Sequence, residues 1–553
     1  MQQLIWVSLL GLLSLGSVQA EEIKLKDGRV YQGKAIKKGK RTRIEAAKRW
    51  IDVPTARLGE PAQAPARRPA PDTKHWLARL GTLQASAALA KDDALVELAR
   101  VERTELVPRS CQALKVVFPL GTGAPLPGDT AGIRAELERF RIARRYGHFL
   151  SPGDLKALDP ALVAQAEALV RDLLAARSKG APLDEVLARV PALKLPYKTW
   201  EALVRGGAGS AWGKEPAPTQ AIPLTLPGGK KSAYLLQVPK GHRASVPAPV
   251  IVALHGQGDG LRSMLACWGR FAQKQGMLLM SVEYAVTRAQ GYHHSYLEHS
   301  TVLTALLDLS NRYAVDFDRV FLTGHSMGGH ASWDTAFSHP DRFAGVIPLI
   351  SSHFAFDKHY RRNARRVPVY CIQGEKDVWT ERCRKQTKAM IDLGADVTYV
   401  EYIGRGHEGF YEELPWVAPW MAARSRDPYP KRFELVAGRL TDFRRFWVRI
   451  DEVKIRLFDL APTSKVSKRV VATVQARVLP NNTLRVDCKA ATALTIFLSD
   501  RLLDLDKRVR LRVNRKVRFK ETVKRSASFM LRDFVQRGDR ETLYATAVEL
   551  EGL

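Results

Sequence analysis

Several things that would have narrowed this chain's function are scarce or missing. Across 553 residues there are five cysteines (Cys111, Cys267, Cys371, Cys383 and Cys488), none in a C-x-x-C or other ligand spacing. A cysteine-held metal centre and a dense disulfide framework are therefore not expected. The odd count leaves at least one thiol free or intermolecular, and Cys371, inside an apolar stretch, reads as a buried hydrophobic thiol. After residue 20 no apolar run approaches the length that crosses a bilayer. No repeat of fixed period marks a solenoid or propeller. The basic stretches lack the interleaved aromatics of a nucleic-acid groove, so no specific nucleic-acid partner is expected. Acidic residues are in deficit, with 57 Asp and Glu against 87 Lys and Arg and a formal charge of +30.

What is present is enough apolar material, 45% of residues, for real cores. The chain is too long for one of them, so several structural units are expected. Residues 1–20 read as a signal peptide: Leu4 to Leu15 is apolar except for Ser8, Gly11 and Ser14, and Val18-Gln19-Ala20 offers small residues to a signal peptidase. That predicts an exported protein, periplasmic or secreted. Its n-region carries no Lys or Arg, which departs from the usual pattern. Residues 21–58 read as a small β module, with Ile23 and Leu25 alternating with charges and Asp27-Gly28 marking a turn. A Pro- and Ala-rich linker follows at 59–73. Residues 74–205 turn helical, best seen in Pro160 to Arg177, where Leu162, Val163, Ala166, Leu169, Val170 and Leu173 recur at helical spacing.

From 215 to 430 short apolar strands alternate with helical stretches, the pattern of a doubly wound, mostly parallel sheet. The predicted strands are Tyr234–Val238, Val250–Leu254, Met277–Val282, Val320–Leu322, Val346–Ile350, Val369–Ile372 and Val397–Tyr402. Predicted helices lie at Leu261–Gln275, Thr301–Arg312, Gly328–Ser338 and Glu381–Leu393. Residues 431–553 read as a basic, β-sandwich-like domain with 28 Lys and Arg against 15 Asp and Glu, a net +13. In its run Arg508 to Lys520, Val509, Leu511, Val513, Val517 and Phe519 share one parity and basic residues fill nearly all of the other, Asn514 being the exception. Such a hairpin buries one face and presents a cationic ladder on the other. It is either a solvated face or a surface for an anionic polymer or the cell envelope.

The chemistry centres on Gly324-His325-Ser326-Met327-Gly328 at the end of a short strand and the start of a helix. A serine on so sharp a turn is crowded by its neighbours, and glycines two positions either side remove the clashing side chains. The turn lifts Oγ above the sheet edge, where a base can take its proton. The partners are expected downstream in the order acid, then histidine. Asp377 ends a strand and a glycine turn, with Glu375, Asp357 and Asp392 as rivals. His407, in Gly404-Arg405-Gly406-His407, is the one histidine of thirteen that follows Asp377. Leu254-His255-Gly256-Gln257-Gly258 follows an apolar strand and offers backbone donors, so the amides of Gln257 and Met327 are the expected oxyanion hole. His255, Tyr292, His293 and His353 are expected at the rim of the substrate pocket. His293, His294, His299, His325 and His330 form a histidine-rich neighbourhood, but their spacing sets no tetrahedral ligand group, so neither metal nor organic cofactor is expected.

The stretch from Gly324 through Ser351, with LHGQGDG upstream and GEKD and GRGH downstream, resembles secreted α/β-hydrolases of the feruloyl-esterase, acetyl-xylan-esterase and polyhydroxybutyrate-depolymerase group. It is also similar to the catalytic domain of prolyl-oligopeptidase-type peptidases. The resemblance spans about residues 220–425 and implies a serine hydrolase that acts on a small or polymer-linked carboxylic ester. A peptidase using the same three residues is the alternative. No propeller repeat precedes the domain, which departs from the prolyl oligopeptidases. A third alternative is a non-catalytic binding protein on a hydrolase scaffold.

Overall fold

The computed structural model describes residues 21–46, 48–59, 74–105, 127, 129–207, 219–243, 246–284, 291–353, 356–455 and 471–553. The expected leader, most of the expected linker and Cys111 lie outside the described residues. The chain begins with the strands β1 (Glu21–Lys24), β2 (Val30–Lys38), β3 (Arg41–Ala46) and β4 (Arg49–Pro54). After a helical region come β5 (Thr219–Thr225), β6 (Lys231–Gln237), β7 (Ala248–Leu254) and β8 (Leu278–Val282). The series continues with β9 (Val315–His325), β10 (Gly345–Leu349), β11 (Val369–Gly374) and β12 (Val397–Tyr402).

All twelve form one sheet, in the order β1-β2-β3-β4-β12-β11-β10-β9-β7-β8-β6-β5. Six central strands, β8 to β12 and β7, run parallel. Every residue of β8, β10, β11 and β12 is buried, as expected of strands covered by helices on both faces. β7 and β9 are neighbours although β8 lies between them in sequence. The strand order therefore reverses there, and the loops after β7 and β9 leave the sheet side by side, the usual place for a ligand crevice.

The N-terminal β residues do not stand apart as a module. β4 pairs antiparallel with β12, from Arg49 opposite Tyr402 to Asp52 opposite Tyr399, so they extend the central sheet. Arg29 anchors them. It is buried, donates to Asp27 at 2.8 Å and reaches Thr398 on β12 at 3.0 Å. Burial on its own would raise the Asp27 carboxyl, but Arg29 and Arg424 hold it down at about 2.

The helical region holds the helices Lys74–Leu89, Asp93–Glu105, Thr130–Tyr146 and Pro160–Ser178. Their shared core also takes Met530, Leu531, Phe534 and Val535 from the C-terminal helix Ala527–Arg537. The C-terminal strands are β13 (Arg432–Ala437), β14 (Arg444–Arg445), β15 (Val448–Val453), β16 (Ala472–Leu479) and β17 (Thr483–Lys489). They continue with β18 (Ala491–Leu498), β19 (Val509–Val513), β20 (Lys516–Glu521) and β21 (Thr546–Leu550). They form two sheets, β13-β16-β17-β19-β20 and β14-β15-β18-β21, around one apolar core.

Candidate active site

Ser326 sits between the end of β9 and the helix Met327–Ser338, with φ 54 and ψ −114. That is the left-handed region, which a non-glycine residue adopts only where its surroundings force it. The surroundings are visible. A Cβ on Gly324 would lie 2.0 Å from the Gly328 carbonyl oxygen, and one on Gly328 would lie 2.1 Å from the Leu254 carbonyl oxygen. Both glycines are needed for the turn to pass this close to β7. The Ser326 amide donates to Leu349 O on β10 at 3.1 Å, which pins the turn to the sheet.

His407 Nε2 lies 2.9 Å from Ser326 Oγ, and its Nδ1 is hydrogen-bonded to the Asp377 carboxylate. With Nδ1 carrying the proton toward Asp377, Nε2 is free to accept from the serine hydroxyl. Asp377 is buried and its other oxygen accepts from the Trp379 amide at 2.8 Å. The acid and histidine loops support each other directly, since a Cβ on Gly374 would lie 2.2 Å from the Gly406 carbonyl oxygen. The rival acids are engaged elsewhere. Glu375 accepts from the Gly404 amide at 2.7 Å and braces the histidine loop. Asp392 pairs with Lys388, and Asp357 faces His353 and Arg361.

Gln257 is exposed on the turn after β7, beside the nucleophile turn across the β7–β9 pair. Met327 opens the helix after Ser326, so its amide belongs to the first turn, whose donors have no acceptor within the helix. His325, which the sequence singled out only as part of a cluster, packs edge-on to His407 with ring centroids 5.8 Å apart. Burial, helped by the charge of His407, lowers its pKa. Trp379, two residues past Asp377, packs edge-on to His330 at 4.7 Å. Nothing in the sequence pattern had marked Trp379.

Two of the expected rim residues are not at a rim. His255 is wholly buried, with Nδ1 2.9 Å from Gly256 O and Nε2 3.3 Å from Glu283. His353 is wholly buried, with its nitrogens 3.8 Å from Asp334 and 3.6 Å from Asp357. Tyr292 is partly buried and turned inward, its hydroxyl donating to Asp334 at 2.8 Å. For His353 and Tyr292 the cause is Asp334, a buried carboxylate on the helix Met327–Ser338 that draws donors inward, whereas His255 is held by Gly256 O and Glu283. Asp334 also accepts from His294 at 3.1 Å, from His299 at 3.0 Å and from both Nη atoms of Arg439 at 2.9 and 3.1 Å. Burial on its own would raise this carboxyl, but Arg439 and His299 hold it well below the ordinary range. Of the four expected rim residues, only His293 keeps a partly exposed side chain not drawn into this buried network.

His299, His339 and Asp442 bring one ligand-type atom each within 4.8 Å of one another. Arg439 and Arg445 already lie 3.0 and 3.5 Å from the Asp442 carboxylate, so two guanidiniums occupy the charge a cation would need. The group does not suit a metal ion.

A parallel sheet whose strand order reverses at β7 and β9, with a serine on the turn after β9 and the histidine and acid on later loops, is an α/β-hydrolase fold. No family model matches the chain. Solved structures similar to it include a thermostable esterase, 22% identical, covering 38% of this chain and 64% of that one at a TM-score of 0.31. The feruloyl esterase module from Clostridium thermocellum is 12% identical, with 38% and 93% covered and a TM-score of 0.31. An S-formylglutathione hydrolase from Agrobacterium tumefaciens is 18% identical, with 38% and 98% covered and a TM-score of 0.30. The chain thus spans less than two thirds of the thermostable esterase's length.

Proposed function

We propose that the protein is a serine hydrolase that cleaves carboxylic esters through an acyl-enzyme. The observation that carries this reading is the hydrogen-bonded series Ser326 Oγ, His407, Asp377, with the serine held at φ 54. Ser326 Oγ attacks the ester carbonyl as His407 Nε2 takes its proton. Asp377 keeps the imidazole in the needed tautomer and stabilises its cation. The amides of Gln257 and Met327 donate to the oxyanion. When the C–O bond to the alcohol breaks, His407 returns the proton to the departing oxygen. Water then repeats the sequence against the acyl-enzyme and frees the acid. We assign the border of the acyl group to His330, one helical turn past Ser326, to Trp379 packed against it, and to the partly exposed His293. Export is part of the proposal, because cleavage after Ala20 would leave β1, which starts at Glu21, intact.

The test is purified protein on p-nitrophenyl esters, on feruloylated and acetylated sugars and on prolyl peptides, beside Ser326→Ala. Ester turnover that disappears in Ser326→Ala supports the reading, and turnover that survives overturns it. Cleavage of peptides but not of esters replaces it with the peptidase alternative. N-terminal sequencing of protein recovered outside the cytoplasm, starting at Glu21, tests export.

A further inference from the structure

The basic character of the C-terminal domain is organised. Arg432 on β13 is the register partner of Arg477 on β16, Arg477 that of Arg485 on β17, and Arg485 that of Arg512 on β19. Four arginines therefore stand at one level across four adjacent strands. They share a face, because the flanking Phe433, Ala476, Val486, Leu511 and Val513 all point into the core between the sheets. Like charges directly opposite each other destabilise a sheet, and this arrangement repeats the cost three times. The acids on the same strands relieve it only in part: Glu434 pairs with Arg362 and Asp487 with Arg485. Among the described residues, no carboxylate lies within ion-pair distance of Arg432, Arg477 or Arg512.

One end of this row opens into a cavity of about 470 Å³. Its walls are Arg432, Phe433, Glu434, Gln475 and Arg477 from the C-terminal sheet and Arg362, Arg365 and Arg366 from the segment that leads into β11. Arg366 is partly buried there, and burial together with Arg432 and Arg365 lowers its pKa despite the attraction of Asp427. Concave shape, an excess of guanidiniums over carboxylates (Glu434 is the one acid in the lining) and a row that continues away from the cavity form a track for a linear anion, more than a point site for a single one. Three strand spacings make the row about 14 Å long. Guanidinium forks suit carboxylate and sulfate groups. The one aromatic side chain in the lining, Phe433, is 4% exposed and packed in the core between the sheets, so it offers no open face on which a nucleic-acid base could stack.

We propose that the Arg432–Arg477–Arg485–Arg512 row and the arginine cavity at its end bind a linear acidic polysaccharide. The track does not belong to the ester cleft. In register, Ile372 on β11 stands level with Leu349, and Leu349 with His325. β11 begins three residues, about 10 Å, below that level, and Arg366 comes three residues earlier still. The polymer is thus held at the opposite end of the sheet from Ser326, and the track anchors the enzyme without entering its chemistry. That role rests on the ester-hydrolase reading, whereas the binding itself does not.

The test uses full-length Ser326→Ala protein in affinity electrophoresis through gels containing polygalacturonate, neutral dextran or single-stranded DNA at 0.15 M salt, a physiological ionic strength. Retardation is expected in polygalacturonate alone. The double variant Arg432→Gln/Arg477→Gln is expected to weaken it at least tenfold, with a thermal midpoint equal to or above the parent's. A control, Lys516→Gln/Arg518→Gln on β20, lies off the row and should bind as the parent does. No retardation, equal retardation in single-stranded DNA, or equal loss in the control overturns the proposal. Parent and row variant without the Ser326 substitution should hydrolyse a small neutral ester at the same rate. An absence of any turnover would instead count against the ester-hydrolase reading, leaving the binding result intact.

Discussion

Ser326 shows how much a single residue depends on neighbours that carry no chemistry themselves. Its strained φ is affordable because Gly324 and Gly328 leave room for β7 and β9 to close on the turn. Gly328→Ala is expected to lower stability by at least about 2 kcal/mol, as its Cβ would meet backbone that cannot rotate away. A thermal melt checks this, and esterase activity should fall with it. Ser326→Ala should retain the fold and lose on the order of 10⁶ in kcat. Asp377→Asn should lose on the order of 10⁴, because the asparagine amide favours the wrong imidazole tautomer. Steady-state kinetics on one p-nitrophenyl ester, with circular dichroism as the fold control, measures both. That Ser326, Asp377 and His407 would meet was legible in sequence, because motif, order and position restrict them. The rim was not, since a histidine's type does not say whether it faces the cleft or a buried aspartate.

At the scale of elements, the helix Met327–Ser338 is tied to the C-terminal domain through Asp334 and Arg439. Arg439→Met would leave a buried carboxylate without its main counter-charge and is expected to cost about 3–5 kcal/mol, read from urea denaturation. Asp334→Asn combined with Arg439→Met should recover part of that loss, since of the two buried carboxylates that Arg439 balances only Asp442 then stays charged, and Arg445 still lies 3.5 Å from it. The same region predicts a dependence on pH. Burial lowers His294 and His339, and lowers His330 to about 4 against an ordinary 6.5. At these three histidines the unfolded chain binds more protons than the folded one as pH falls from about 6.5 toward 4, against the opposite contribution of His353, which Asp334 and Asp357 raise despite its burial, so the expected net result is a decline in stability across that window. Below about pH 4 the held-down carboxyls of Asp27 and Asp334 add to the loss as they protonate. Urea midpoints at pH 7, 5.5 and 4.5 should fall in that order. Strands and helices from 231 to 402 lie close to their predicted positions, because two-sided burial leaves continuous apolar runs. The edge strand β5 was missed, since its residues Ala221, Pro223 and Thr225 face solvent and break the run.

Across the whole molecule, the segments that looked like separate modules share cores and ion pairs. The N-terminal strands cover the β12 edge of the central sheet, and a C-terminal helix completes the core of the helical region. Arg426, buried just after the central-sheet region, pairs with Asp539 at 2.7 Å. Removing residues 21–58 should uncover an unpaired strand edge and the apolar surface of Ile44, Ile51 and Val53. Aggregation of that variant, followed by light scattering beside the intact protein, is the expected result.

The amino-acid sequence by itself determined the alternation of strand and helix, the serine turn and the order of its partners. Those depend on local periodicity and on residues that no other type can replace. Only the tertiary structure decided which histidines turn inward, that β4 closes the sheet against β12, and that Arg432, Arg477, Arg485 and Arg512 align. Each of these is a matter of register between segments far apart in the chain. Strand register is set by which faces can be buried together, and no single segment carries that information.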